Sequence, residues 1–318
     1  MTDPLVFARA VHLAATMLAT GVVFFSVFVS EPALVTGAPV ALQARLRAQA
    51  RVLLACGLAV AVVSGAVWFG LLAARIGEAA SFDELGEAAL TLLTQTEFGT
   101  TSALRLVLAL LLAAAVMRRD VGDARANFTL VAAALFAGAL AWSGHGAATP
   151  GEPGAIHVVA DVIHLTAAAT WLGSLVPLAL LLRVEPTDPL GVAALARMLR
   201  RYTPLGTAAV GGLILSGIVN VLFVPGKLSG WITSEYGRVL AAKLALFAIM
   251  VAIAAVNRAK LVPALAASQG DAAAQRDDAV RRLRVHILAE IALGLAIVML
   301  VAWLGIMVPG APMHDHVH

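Results

Sequence analysis

Three ionisable residues stand at helical spacing inside an apolar run: His157, Asp161 and His164. Positions i, i+4 and i+7 of an α-helix fall within roughly 60° of one another, on one face. Ionisable side chains at membrane depth are costly, and they mark ion pathways, ligand sites or paired networks. Imidazole with carboxylate suits Cu(II) or Zn, and imidazole with nearby methionine suits Cu(I). Asp161 can instead orient a ligating imidazole by accepting its second N–H. A rise of about 1.5 Å per residue puts His157 and His164 roughly 10 Å apart, so one small ion cannot take both. Either one histidine joins Asp161 and ligands from other helices, or the face is a ladder of successive sites. The plainer reading is a helix–helix hydrogen-bond network.

Other residues extend this chemistry. His145 lies in the Gly/Pro-rich turn before the helix of His157, where it is a capture ligand or a solvated loop histidine. His12 sits inside the first apolar run, and Arg105 and Lys243 sit inside later ones. The two cations are expected to pair with carboxylates such as Glu97, Glu235 or Asp161, or to form a gate that repels cations. His286 and Glu290, at i and i+4, are expected to make a polar contact at the inner mouth, with an exit site as the sharper alternative. The C-terminal Met313-His314-Asp315-His316-Val317-His318 has the composition of a metal-capturing tail. The single cysteine, Cys56, excludes disulfides and any thiolate-rich metal cage. There is no Walker motif, no Cys-Pro-Cys and no nucleophile elbow, so neither an ATP-driven pump nor an enzyme is expected.

The elements that position these residues follow from hydropathy. The chain is 61% hydrophobic and 13% charged, more apolar than a soluble fold of 318 residues needs. Apolar runs of about 20 residues recur, each able to cross a hydrocarbon core of about 30 Å. They predict an all-α membrane protein with eight transmembrane helices, at about 5–30, 47–74, 97–118, 125–144, 155–182, 203–224, 236–262 and 283–308. The first run is too long for a cleavable signal and holds Arg9 and His12 within it. The acidic stretch 78–96 is too polar to span and is expected to form a short surface helix. Arginine and lysine crowd the loops after spans one, three, five and seven, whereas the other face carries Arg75, Lys227 and the acidic stretch. The positive-inside rule then places both termini outside, in the periplasm of a bacterial inner membrane.

An internal repeat runs through the chain. Val11-His12-Leu13 echoes Ile163-His164-Leu165 at an offset of 152, and Ser64-Gly65 echoes Ser216-Gly217 at the same offset. Glu97-Phe98-Gly99 with Arg105 matches Glu235-Tyr236-Gly237 with Lys243, and Ala141-Trp142-x-Gly144 matches Ala302-Trp303-x-Gly305. The expected organisation is two parallel four-helix repeats, 1–150 and 151–310, followed by the tail 311–318. Transporters commonly place substrate at such repeat interfaces.

At these residues the chain resembles the copper resistance protein D family. The likeness is carried by Ser143-Gly144-His145-Gly146, by Asp161-x-x-His164-Leu165 with Trp171-x-Gly173, and by Ser216-Gly217. It continues through Tyr236-Gly237, Lys243 and Asn257-Arg258. It covers most of the chain and is strongest from about residue 140 to 262. Gly146 and Ser174 stand where the family pattern often has Ala and Gly, a change between small residues that leaves the chemistry alone. The resemblance implies a multi-spanning inner-membrane protein that moves copper ions inward. It also implies a separate CopC-like periplasmic copper-binding partner, because no such soluble domain is present here. His145, His157 and the tail would capture copper and pass it to Asp161, His164 and His12. Two other functions use the same residues: a haem-b electron-transfer protein with axial histidines, and a copper-binding assembly factor that does not transport.

Overall fold

Pro4 and Asp3 start the chain's first helix in the expected way, with proline at the first turn and the Asp3 carboxylate accepting from the Leu5 N–H at 2.9 Å. The computed structural model describes residues 3–117, 123–143, 151–183, 189–223, 234–267 and 273–307. Helix α1 (Pro4–Phe25) continues through a π-helical turn at Ser26–Ser30 into α2 (Glu31–Val35). There follow α3 (Val40–Ile76), α4 (Phe82–Gln95), α5 (Glu97–Met117) and α6 (Asp123–Gly138), which closes in a 3₁₀ turn at Ala139–Ser143. The remainder comprises α7 (Gly151–Leu181), α8 (Pro189–Leu222) and α9 (Glu235–Val256) with a π turn at Asn257–Leu261, then α10 (Val262–Ala267) and α11 (Ala273–Leu304). No strand occurs among the described residues. Eight helical segments are long and apolar enough to cross a membrane, so the chain is an all-α membrane protein.

The acidic stretch forms α4, opened by a capping box. Ser81 Oγ accepts from the Glu84 N–H at 3.2 Å, and Glu84 accepts from the Ala80 N–H at 2.7 Å. Three spans begin earlier than hydropathy indicates. α3 starts at Val40 rather than 47, α8 at Pro189 rather than 203, and α11 at Ala273 rather than 283. Hydropathy detects only the part of a helix that lipid must cover. These leading turns are rich in Ala, Leu, Gln and Arg, good helix formers that carry the helix on beyond the hydrocarbon. Arg197 lies on such a turn and reaches the Ala33 carbonyl at 3.4 Å, where α2 is ending.

Helix α1 is the hub. It packs on α3, α6, α7 and α11, and its apolar window is the most buried of the eight. Val6, Ala10, Leu13 and Met17 face one core, shared with α7, α8, α9 and α11. Ala15, Ala19, Val22 and Val23 face a second, shared with α3, α5 and α6. Both stripes follow helical spacing, on opposite sides of one helix. The outer faces of α5 and α8 show Leu104, Leu110, Leu215 and Leu222 to the surroundings, which is the expected composition of a lipid contact.

Two glycines set the closest approach in the bundle. A Cβ at Gly21 would fall on the backbone of Gly173, and one at Gly173 would fall on the Met17 carbonyl. Small residues at a crossing let two membrane helices touch backbone to backbone, where van der Waals packing holds them together. The Trp171-x-Gly173 motif therefore has a packing role at its glycine. Gly173→Val should lower the thermal midpoint in detergent by the equivalent of about 1–3 kcal/mol or more, because α1 and α7 must separate. Gly211→Ala is the control, since nothing lies within 4 Å of that added methyl. Equal midpoints for the two variants would show that the crossing is not a tight contact.

Candidate functional site

Two histidines stand at comparable places on α1 and α7, each against a Ser-Gly pair on the following long helix. A Cβ at Gly65 would lie 2.9 Å from the His12 ring, and one at Gly217 would lie 3.5 Å from the His164 ring. Glycine at these positions makes room for an imidazole between helices. The surroundings of the two rings then diverge.

His12 is buried on the inner face of α1 and held at both nitrogens. Its Nδ1 contacts the Ala61 carbonyl at 2.8 Å. A carbonyl only accepts, so Nδ1 carries the proton and donates. Nε2 is then the acceptor, and it takes an N–H from Arg105 Nη2 at 2.8 Å. The same Nη2 donates to Thr16 Oγ1 at 2.9 Å, while Nη1 donates to the Phe136 carbonyl. The guanidinium also lies 4.7 Å from the Phe136 ring centroid, a cation–π distance. The expectation that Arg105 pairs with a carboxylate is corrected here. Its partners are a neutral ring, a hydroxyl and a carbonyl, and Glu97 lies eight residues away along α5, roughly 12 Å. Trp68 closes the station, 5.6 Å from the His12 ring, with Arg9 5.5 Å from its own centroid.

His164 is bonded to α8, through the Ser216 side chain and the Leu213 backbone. Nδ1 lies 3.1 Å from Ser216 Oγ, which spends its own proton on the Gly212 carbonyl at 2.5 Å. The serine oxygen therefore accepts, and Nδ1 of His164 donates. The Leu213 backbone also bonds the ring, and Ser216 is the one side chain hydrogen-bonded to it among the described residues. Lys243 is within electrostatic range of both His164 and Asp161. No hydrogen bond holds the Lys243 ammonium among the described residues. One turn earlier on α7, Asp161 accepts from Asn220 Nδ2 at 2.7 Å, and this bond fixes which end of the amide is oxygen. Asn220 Oδ1 is buried with no partner among the described residues. A buried acceptor without a donor is a place where water or a cation is favoured. Further out, His157 is buried and stacks on Phe223, with centroids 4.7 Å apart and planes 6° from parallel.

A third station lies towards the other end of the bundle. Asn257, at the start of the π turn after α9, donates to Glu290 at 2.7 Å and accepts from His286 Nδ1 at 2.7 Å. The expected His286–Glu290 contact is thus bridged by an amide. π turns are rare and recur at functional positions. Glu290 is 2% exposed and borders a cavity of about 360 Å³ whose walls include Trp171, Leu175, Tyr202 and Val251. The α7 wall of that cavity is Trp171, Leu175 and Leu178. Arg258 stands at its rim, donating to Thr207 Oγ1 at 2.8 Å.

The described residues contain no ready-made group of three His, Cys, Asp or Glu side chains around one point. His157, Asp161 and His164 are a ladder along α7, and His12 belongs to a separate station. His145 and the tail with Met313, His314, His316 and His318 lie outside the described residues. Sequence reasoning missed Thr16, Asn220 and Asn257 as site members. Asn220 stands four residues after Ser216 inside an apolar span, and that spacing was the available signal.

Residues 196–304 match the family model described as copper resistance protein D, and residues 1–155 match the copper resistance protein D-like N-terminal domain. Copper resistance protein D of Pseudomonas syringae pv. tomato is 35% identical over 259 residues, 80% of this chain and 81% of that one. Inner membrane protein YebZ of Escherichia coli (strain K12) is 32% identical over 179 residues, 56% of this chain and 60% of its own length. Copper transport protein CutJ of Bacillus subtilis (strain 168) is 32% identical over 119 residues, 37% of this chain and 21% of that protein. No solved structure matches.

The Asn257 bridge gives a direct test of the inner station. Asn257→Leu leaves the buried Glu290 without its donor, which should destabilise the bundle by about 1–3 kcal/mol. Thermal unfolding in detergent measures it, and a Glu290→Gln change in the same chain should recover part of the loss. An unchanged midpoint for Asn257→Leu would remove the bridge from the account of this station.

Proposed function

The chain belongs to the copper resistance protein D family, and from that premise we propose that it carries copper ions inward across the bacterial inner membrane. The observation that carries the reading is His164, with Ser216 as its one side-chain partner among the described residues, one turn from an Asp161 carboxylate bonded to Asn220, whose buried Oδ1 has no partner among those residues. Imidazole nitrogen and carboxylate oxygen form a borderline donor set that suits copper. A site short of a closed cage also suits a carrier, since an ion that must leave cannot be wrapped by a full coordination shell. Asp161, His164 and Asn220 form the internal station. His157 lies one turn outward, and His145 with the tail histidines 314, 316 and 318 and Met313 supply capture. Inward, the cavity beside α7 ends at Glu290, Asn257 and His286, which form the release end. Both termini then face the periplasm, where a separate CopC-like protein delivers copper.

The haem alternative needs two imidazole Nε2 atoms on either side of one iron. His12 has given its Nε2 to Arg105, so the reading lacks one axial ligand. An assembly factor that holds copper without moving it would use the same pocket, and only transport separates it from the carrier.

His164→Ala should reduce copper accumulation by cells to the level of an empty-vector control while leaving the amount of inserted protein unchanged. Asn220→Ala should weaken copper binding by about 10–100-fold, the usual range for a group supporting a ligand. Equilibrium dialysis of purified protein measures the second effect. Normal accumulation in the His164→Ala variant would move the site away from α7. Binding without accumulation in the unaltered chain would favour the assembly factor. Deleting residues 313–318 should slow uptake only when copper is scarce, and loss of uptake at high copper would place the tail on the path itself.

A further inference from the structure

The two histidine stations share a plan and differ at one atom. His12 and His164 each donate from Nδ1 to a neighbour on the next long helix, and each ring lies over a glycine there. Each also has a cation brought from a later span, Arg105 on α5 and Lys243 on α9. Arg105 is pinned by bonds to Thr16, the Phe136 carbonyl and His12 itself, with its planar fork set across three helices. One of those bonds consumes the lone pair that a metal would need. Lys243 acts on His164 only through space, and no hydrogen bond holds it among the described residues. A guanidinium is rigid, permanently charged and multiply bonded, whereas an ammonium is a point charge on a flexible stem that can swing away.

Resting on the copper reading above, we infer that the chain has one working copper station and one locked copy of it: Arg105 is a built-in plug on His12, and Lys243 is a movable counter-charge beside His164. Copper entry at His164 displaces an ammonium that Asp161 attracts through space and that no hydrogen bond holds among the described residues. Entry at His12 would have to break the Arg105 bond to the ring and leave a buried guanidinium short of an acceptor, next to a second positive charge. The ion path is therefore confined to the α7, α8, α9 and α11 side of α1, which is also the side of the cavity leading to Glu290. His12 and Arg105 are positioning residues for the opposite half, where they join α1, α3, α5 and α6.

The identities of the two cations can be exchanged. In full-length protein with the tail histidines replaced by alanine, copper per chain is measured after equilibration with copper(I) under ascorbate and with copper(II) alone. Arg105→Lys should gain about one copper over its parent, and adding His12→Gln should erase the gain. Lys243→Arg should lose about one copper, as His164→Ala does. His12→Gln in the parent keeps an acceptor for Arg105 and should leave copper content and affinity unchanged. A folded Arg105→Lys variant with no gain would overturn the inference, and so would loss of copper from the single His12→Gln variant. That last measurement decides the matter even if Arg105→Lys does not fold. If His164→Ala keeps its copper, the reading of the previous subsection fails. If His164→Ala loses copper while Arg105→Lys gains none, only the plug fails.

Discussion

The backbone contact between Gly21 and Gly173 is the constraint on which the rest of the arrangement depends. It fixes α1 against α7 more closely than any side chain would allow. His12 lies nine residues before Gly21 and His164 nine residues before Gly173, so each ring stands roughly 14 Å along its helix from the contact. Lipid chains are as apolar as leucine, so helices in a bilayer gain little from hiding apolar surface and must gain from close packing and polar bonds. Here both occur on one helix. α1 carries the glycine crossing, and it also carries His12 and Thr16, which hold the chain's most buried guanidinium.

Satisfaction of polar groups explains most of the geometry away from that crossing. His12 makes two bonds, Arg105 three, and Asn257 joins a carboxylic side chain to an imidazole. In a low-dielectric interior a fully bonded network is rigid, and a partly bonded one is where chemistry becomes available. Among the described residues the α7 station is the partly bonded one, with an amide oxygen that has no partner and an ammonium that no hydrogen bond holds.

Much of this was legible in the chain. Apolar length gave the eight spans, the Ser81-x-x-Glu84 pattern belonged to a capped surface helix, and the His12/Ser64-Gly65 and His164/Ser216-Gly217 echoes marked residues that meet in space. The partner of Arg105 was not legible. Charge invites pairing with a carboxylate, whereas the fold supplies a ring, a hydroxyl and a carbonyl from three other positions, a choice that only helix packing reveals. Asn220 and Asn257 were hidden for a related reason. A neutral amide hardly alters hydropathy, and its importance arises from the carboxylates that α7 and α11 bring to it. The starts of α3, α8 and α11 were misplaced because amphipathic turns outside the bilayer carry no apolar signal.

The Arg105 clamp has a bearing on how the protein is made. An arginine near the middle of an isolated span raises the free energy of insertion by about 2.5–3.5 kcal/mol. For α5 that penalty is relieved by His12 and Thr16, which are synthesised earlier, and by the Phe136 carbonyl, which is synthesised later. The fifth helix therefore settles into lipid less readily alone than beside α1. It has to be received by α1 as it leaves the translocation machinery and be finally secured when α6 follows. Biogenesis of this half is thus a sequence of hand-offs between neighbouring helices, with α1 waiting in the membrane as the receiving surface.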